Sequence, residues 1–327
     1  MTSRPSSISS SSFRRYLIVA AVLFVTALVG MVTLSMIGYG LGLVDASNRN
    51  LFDYQVRKID QADQIDIVFV GDSSLGNAID ADLFGKLAGA RTLNLALSGT
   101  YGVGASYNMV RRSFERHHPR LVVVMQSLKT MKRPEAAAGY FFTTDHPQWS
   151  DLSPVELAKV YLSFRAASET ITQIRRNGLT RMATVMVGDY VPQQMRGTDR
   201  LAPPAEVAEE PLLPGMISHE QLRFLQRIGT FCKSQGVPCL YASGPIYDGY
   251  CAQSAAYQGA LADAVRAAGL TMVEGTPLCM PIDHVGDAVD HVKPEFKDEY
   301  TRRYFAAIAP DIVVGPKVAT FLTGDGG

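Results

Sequence analysis

Ser73 and His291 are the residues of this chain best placed to do chemistry together. Ser73 follows Gly71-Asp72 at the end of the apolar run 65–70. A buried strand that runs into a glycine turn presents the next serine at the edge of a sheet, where a nucleophile meets its substrate. A serine hydroxyl needs a base to take its proton, and imidazole suits that work near neutral pH. Of the six histidines, His284 and His291 lie in the carboxylate-rich loop 283–295 that precedes the last helix. His291, directly before Val292-Lys293-Pro294, is the better candidate. A carboxylate beside it would fix the imidazole tautomer and stabilise the imidazolium formed during attack. Asp287 and Asp290 both stand near. Neighbours in an extended segment point opposite ways, which favours Asp287 and leaves Asp290 as the alternative. The other histidines read as structural or surface residues: His117 and His118 close a helix before Pro119, His146 lies in an insertion, and His219 opens a helix. None of them has metal-ligand spacing, so no metal site is expected, and serine acyl transfer requires none.

Strands and helices alternate around these residues. The strand over 65–70 is followed by a helix near 80–88 opened by Asp80, a strand over 92–97, a helix over 104–117 and a strand over 121–125. The rhythm resumes with a helix over 218–235 stopped by Gly236, a strand over 237–243, a helix over 252–268 and a short strand over 270–274. The last helix begins after Pro294, with Phe296, Tyr300, Tyr304 and Ile308 on one face. Continuous Val and Leu strands separated by helices predict an α/β fold, a parallel sheet covered on both faces. Between the two series, residues 127–215 read as a helical insertion, with a helical stretch over 154–177 and a proline-rich loop over 202–214. Phe141, Phe142 and Trp149 in this insertion suit either a core or a groove for sugar rings.

The formal charge of the 327 residues is zero and 47% are hydrophobic, and no arginine-rich stripe appears, which excludes a nucleic-acid partner. Arg4, Arg14 and Arg15 precede an uncharged segment over 16–44 that is long enough to cross a bilayer as a helix. A cleaved signal is the other reading, with small residues at 44–46, but the apolar run exceeds the usual core of such signals. The basic residues predict a cytoplasmic tail over 1–15, a signal anchor over 16–44, a connector over 45–64 and an outer domain over 65–327. That places the domain in the periplasm or another extracytoplasmic space, held at the cytoplasmic (inner) membrane. Cys232, Cys239, Cys251 and Cys279 all fall in the outer part, where disulfides persist, and four cysteines allow three pairings.

The order Gly71-Asp72-Ser73, then Asn94-Leu95-Ala96-Leu97-Ser98-Gly99, then a C-terminal Asp…His before a helix resembles the SGNH/GDSL hydrolase superfamily. The resemblance covers about 65–126 and 237–309. It implies a flavodoxin-like three-layer α/β/α sandwich with Ser73 as nucleophile, His291 as base and the N–H groups of Ser73 and Gly99 as oxyanion donors. Two departures stand out. The Gly-x-Asn-Asp element after the third strand is missing, with Gln126 the nearest substitute. The usual aspartate position three residues before the histidine holds Ala288. A single anchor and an outward domain make the chain similar to the membrane-tethered SGNH proteins of alginate O-acetylation and of D-alanine transfer to teichoic acid. That likeness implies a serine acyltransferase acting on a polysaccharide, without cofactor, beside a multi-pass membrane-bound O-acyltransferase. An esterase of the same polymers and a weakened SGNH domain that binds polymer or scaffolds a secretion complex are the alternatives.

Overall fold

The computed structural model describes residues 10–134, 136–144, 152–180, 190 and 211–314. Helices α1 (Ser10–Gly40) and α2 (Ala46–Gln61) lead to β1 (Ile67–Gly71), α3 (Ser73–Ala78), α4 (Ala81–Ala88) and β2 (Thr92–Ala96). Next come α5 (Gly102–Arg116), β3 (Leu121–Gln126), α6 (Leu128–Met131), α7 (Ala136–Phe142), α8 (Pro154–Tyr161) and α9 (Phe164–Asn177). The chain continues through α10 (His219–Gln235), β4 (Cys239–Ser243), β5 (Ile246–Tyr247), α11 (Asp248–Cys251) and α12 (Ala255–Ala267). Strands β6 (Thr271–Met272) and β7 (Cys279–Met280) and helix α13 (Lys297–Val314) complete it. Two compact units result, one from residues 1–47 and 148–183, the other from 48–147 and 184–327.

The larger unit is built on a five-stranded parallel sheet of order β2-β1-β3-β4-β6. Its central strands are runs of Val, Ile and Leu because both faces are covered. On one face Ile67, Phe69, Leu121, Val123 and Met125 join Leu75 of α3, Phe84 of α4 and Tyr300, Tyr304 and Ile308 of α13 in a single core. The alternate residues Val68, Val70, Val122 and Val124 are equally buried, and α5 and α10 pack on the sheet as well. The predicted helix limits follow from capping. Asp80 accepts from the Leu83 N–H, Ser218 accepts from the Gln221 N–H, and Gly236 ends α10 in the left-handed region at φ 66°. Two disulfides close this unit, Cys232–Cys239 between α10 and β4 and Cys251–Cys279 between α11 and β7.

The insertion expected over 127–215 is divided. Helices α6 and α7 stay with the sheet unit, α7 packing on α5 and α10. The single helical stretch expected over 154–177 is two helices, because Ser163 caps α9 by accepting from the Ala166 N–H, and Ser153 with Glu156 forms a capping box for α8. His146, Trp149 and the loop up to residue 210 lie outside the described residues.

The smaller unit contains α1, whose stretch Phe13–Gly40 holds an 18-residue window of mean hydropathy 2.7 and is long and apolar enough to cross a membrane. Helices α8 and α9 pack along it. The Ser35 hydroxyl donates to the Ser163 carbonyl at 3.4 Å, and the Tyr39 hydroxyl to the Val160 carbonyl at 3.4 Å. A Cβ on Gly38 would lie 1.9 Å from Thr170 Oγ1, so only glycine permits this approach.

Candidate active site

The Ser73 turn begins with a glycine for a steric reason: a Cβ on Gly71 would sit 1.8 Å from the Met125 carbonyl oxygen. Asp72 then caps α3 and ties three segments together. Its Oδ1 accepts from the Ser74 N–H at 2.9 Å and the Ser74 hydroxyl at 2.6 Å. Its Oδ2 accepts from the Ser127 N–H at 2.9 Å and the Thr130 hydroxyl at 2.5 Å. Four donors satisfy a carboxylate that is only 2% exposed, as a buried charge requires. The Ser73 carbonyl accepts from Asn77 Nδ2 at 2.8 Å, which holds the first turn of the helix.

The His291 loop is fixed by its own backbone. The Gly286 N–H donates to the His291 carbonyl at 2.7 Å, the His291 N–H to the Ala288 carbonyl at 3.0 Å, and the Lys293 N–H to the His284 carbonyl at 2.9 Å. Val285, Val289 and Val292 anchor the loop in the core, and the Tyr247 N–H bonds the Val289 carbonyl at 2.8 Å. The result brings His291 Nε2 to 2.8 Å from Ser73 Oγ and His291 Nδ1 to 2.6 Å from Asp287 Oδ1. Asp287 accepts from Nδ1–H, so Nε2 carries the lone pair that receives the Ser73 hydroxyl. Asp290 stands 3.9 Å from Nε2, as a charge and not as a hydrogen-bond partner.

Electrostatics agree with that geometry. Burial alone would depress the His291 pKa, but the hydrogen bond to Asp287 and the charges of Asp290, Asp287 and Asp72 hold it above its ordinary value. The His291 hydrogen bond holds the Asp287 carboxyl below the usual range, against the opposing effect of burial.

No protein-family model and no curated protein matches the sequence. Assignment therefore rests on the site itself.

Three of the predicted site residues, Ser73, His291 and Asp287, meet in one hydrogen-bonded chain. Gly99 lies in the turn after β2, its would-be Cβ 3.9 Å from Asp72 Cβ. Gln126 does not join them. It is fully buried and its Nε2 donates to Ser106 Oγ of α5 at 2.8 Å, so the amide expected near the serine is spent on the helix layer. His284 stacks on Phe296, ring centroids 3.7 Å apart, and belongs to the α13 packing. His117 Nε2 bonds the Ile59 carbonyl at 2.9 Å. Phe142 packs beside Tyr101 and Phe141 against Phe142. Among the described residues no cluster suited to a metal ion occurs.

Sequence reasoning missed Tyr190. Its ring lies against Gly76, where a Cβ would come within 2.4 Å of it. Burial foremost, with the charges of Asp72, Asp287 and Asp290, raises the phenol pKa and keeps it protonated at neutral pH. Tyr190 stands in no periodic segment, and no local pattern flagged it.

Proposed function

We propose that the chain is a membrane-anchored serine acyltransferase that O-acylates an extracytoplasmic polysaccharide through an acyl-Ser73 intermediate, within a flavodoxin-like SGNH fold. The observation that carries this reading is the chain Asp287–His291–Ser73, at 2.6 and 2.8 Å. Ser73 Oγ attacks the acyl carbonyl and passes its proton to His291 Nε2. The tetrahedral intermediate expels the donor's leaving group, which takes that proton. A sugar hydroxyl then gives its proton to His291 and attacks the acyl carbon. The Oγ–carbon bond breaks and Ser73 recovers the proton. The N–H groups of Ser73 and Gly99 face no acceptor among the described residues and serve the oxyanion.

The anchor supports the transferase over a free hydrolase, since it keeps the serine near a membrane-delivered acyl donor and a multi-pass O-acyltransferase that would supply it. Arg14 and Arg15 in the first turns of α1, ahead of its uncharged stretch, favour a cytoplasmic tail, and two disulfides suit an oxidising compartment outside it. With water as acceptor the same residues make an esterase. The third reading, a weakened domain that binds polymer, draws on the turning of Gln126 towards Ser106.

Covalent labelling of the full-length protein in detergent with a fluorophosphonate tests the proposal. Wild type is expected to carry the adduct on Ser73, with labelling lost in Ser73→Ala and reduced at least about 10²-fold in His291→Ala. No adduct on folded wild-type protein sinks the enzymatic reading.

A further inference from the structure

An oxyanion at Ser73 forms in an unfavourable field. Asp72, Asp287 and Asp290 all act electrostatically on His291 and on the Tyr190 phenol beside the serine. A fourth negative charge on the acyl oxygen needs a cation, or dipoles aimed at it, to be stabilised. Backbone N–H groups supply part of this. A cation lies against the same turn.

Arg133 follows α6, and its Nη1 is 3.5 Å from the point where a Gly99 side chain would begin. The same point is 3.9 Å from Asp72 Cβ, one residue before the serine. Asp72 does not hold this guanidinium, because its two oxygens already accept from Ser74, Ser127 and Thr130. Among the described residues the Arg133 side chain has no ion pair or hydrogen bond, and it is half-buried.

The backbone of Arg133 is clamped. Its N–H donates to the Thr130 carbonyl at 3.0 Å, and its carbonyl accepts from Gln221 Nε2 at 2.9 Å. The Gln221 carbonyl oxygen in turn accepts from the Val103 N–H at 2.8 Å. Gly102 makes room for this bridge: it adopts φ 55°, and a Cβ there would sit 2.6 Å from the Gln221 amide. Gln221 thus ties the backbone of Arg133 to the start of α5, just after the turn that carries Gly99.

We infer that Arg133 is a catalytic residue of the Ser73 site, its guanidinium donating to the acyl oxygen as negative charge develops there, beside the N–H groups of Gly99 and Ser73. The inference rests on the acyl-Ser73 reading. It assigns to an arginine the role that Gln126, engaged with Ser106, does not fill. No bond to Arg133 forms or breaks. The guanidinium keeps its proton throughout, and its contribution grows with the charge on the oxygen.

The test uses full-length protein in detergent, with p-nitrophenyl acetate for turnover and a fluorophosphonate for acylation competence. Arg133→Ala is expected to lower kcat by about 10²–10³-fold, as loss of one such donor does, with KM changed less than about threefold. Guanidinium ion added to Arg133→Ala restores part of the rate, Arg133→Lys retains part of it, and the pH profile keeps its shape because His291 and Asp287 are untouched. An Arg133→Ala enzyme within about threefold of wild type overturns the inference, as does a loss confined to KM. A rate loss that follows a fallen thermal midpoint, with no rescue by guanidinium, overturns it as well and makes the residue structural. A wild type inert to both reagents removes the Ser73 reading and this inference together, whereas an active wild type with an unaffected variant removes the inference alone.

Discussion

Replacing Asp287 by asparagine separates the two carboxylates that flank His291. In the native site Asp287 accepts from Nδ1–H at 2.6 Å and leaves Nε2 free to take the Ser73 proton. An asparagine can turn its NH₂ towards Nδ1, which moves the imidazole proton to Nε2, where it faces Ser73 as a donor and cannot act as base. Asp290, 3.9 Å from Nε2, stabilises that wrong tautomer. Even with the right tautomer, the imidazolium formed in the transition state loses its charged partner. Together these effects predict a fall in acylation rate of about 10³–10⁴-fold, equivalent to about 4–5.5 kcal/mol of barrier. Asp290→Asn removes only a charge and should stay within about threefold of wild type on the alkaline plateau. The pH dependence adds a second readout. His291 must be neutral to act, and its pKa is raised, so wild-type activity climbs with pH through a value above the ordinary imidazole range. Each asparagine removes a negative neighbour and moves that limb towards acid. Burst release of p-nitrophenol from p-nitrophenyl acetate, followed from pH 5 to 9, measures both effects. An Asp290→Asn loss as large as that of Asp287→Asn, or an Asp287→Asn enzyme within tenfold of wild type, refutes the reasoning.

Asp72→Asn should lower stability by about 2–4 kcal/mol, since its amide meets the buried Ser127 N–H donor-to-donor and the charge-assisted bonds to Ser74 are weakened; thermal unfolding of the purified protein checks this, and an unchanged midpoint contradicts the four-bond account. Removing the Cys251–Cys279 bridge, whose partners are 28 residues apart, should cost about 3–4 kcal/mol by loop closure, against about 2 kcal/mol for Cys232–Cys239 with its separation of 7. Double serine variants compared by denaturant midpoint give the order, and a larger loss for the short loop is the adverse result.

The parallel sheet was readable because its strands are buried on both faces and spell themselves as uninterrupted runs such as Leu121–Gln126. Helix ends were readable where a side chain caps them, as at Asp80 and Ser218. Helices α3 and α7, of 6 and 7 residues, were not, since fewer than two turns leave no period to detect. Ser73, His291 and Asp287 were found through the chemistry that couples a serine to a histidine and a carboxylate. Gln126 misled because sequence proximity to a strand end says nothing about which face a side chain takes, and its amide went to Ser106. Asp72 passed unnoticed as part of a turn, although it holds Ser127 and Thr130 more than fifty residues away. Arg133 approaches Gly99, and Tyr190 approaches Gly76, only after the chain has folded back, and spacing carries no trace of that.

The pairing of α1 with α9 sets a timetable for biosynthesis. Ser35 and its partner Ser163 are 128 residues apart. At about 5–20 residues per second, a ribosome takes roughly 6–26 s to produce the second after the first. Through that interval the Gly38 cleft, the Ser35 hydroxyl and the Tyr39 hydroxyl have been made but their partner helices α8 and α9 are not complete. Helix α1 therefore begins its life with an open face, available to any neighbouring helix until α8 and α9 arrive.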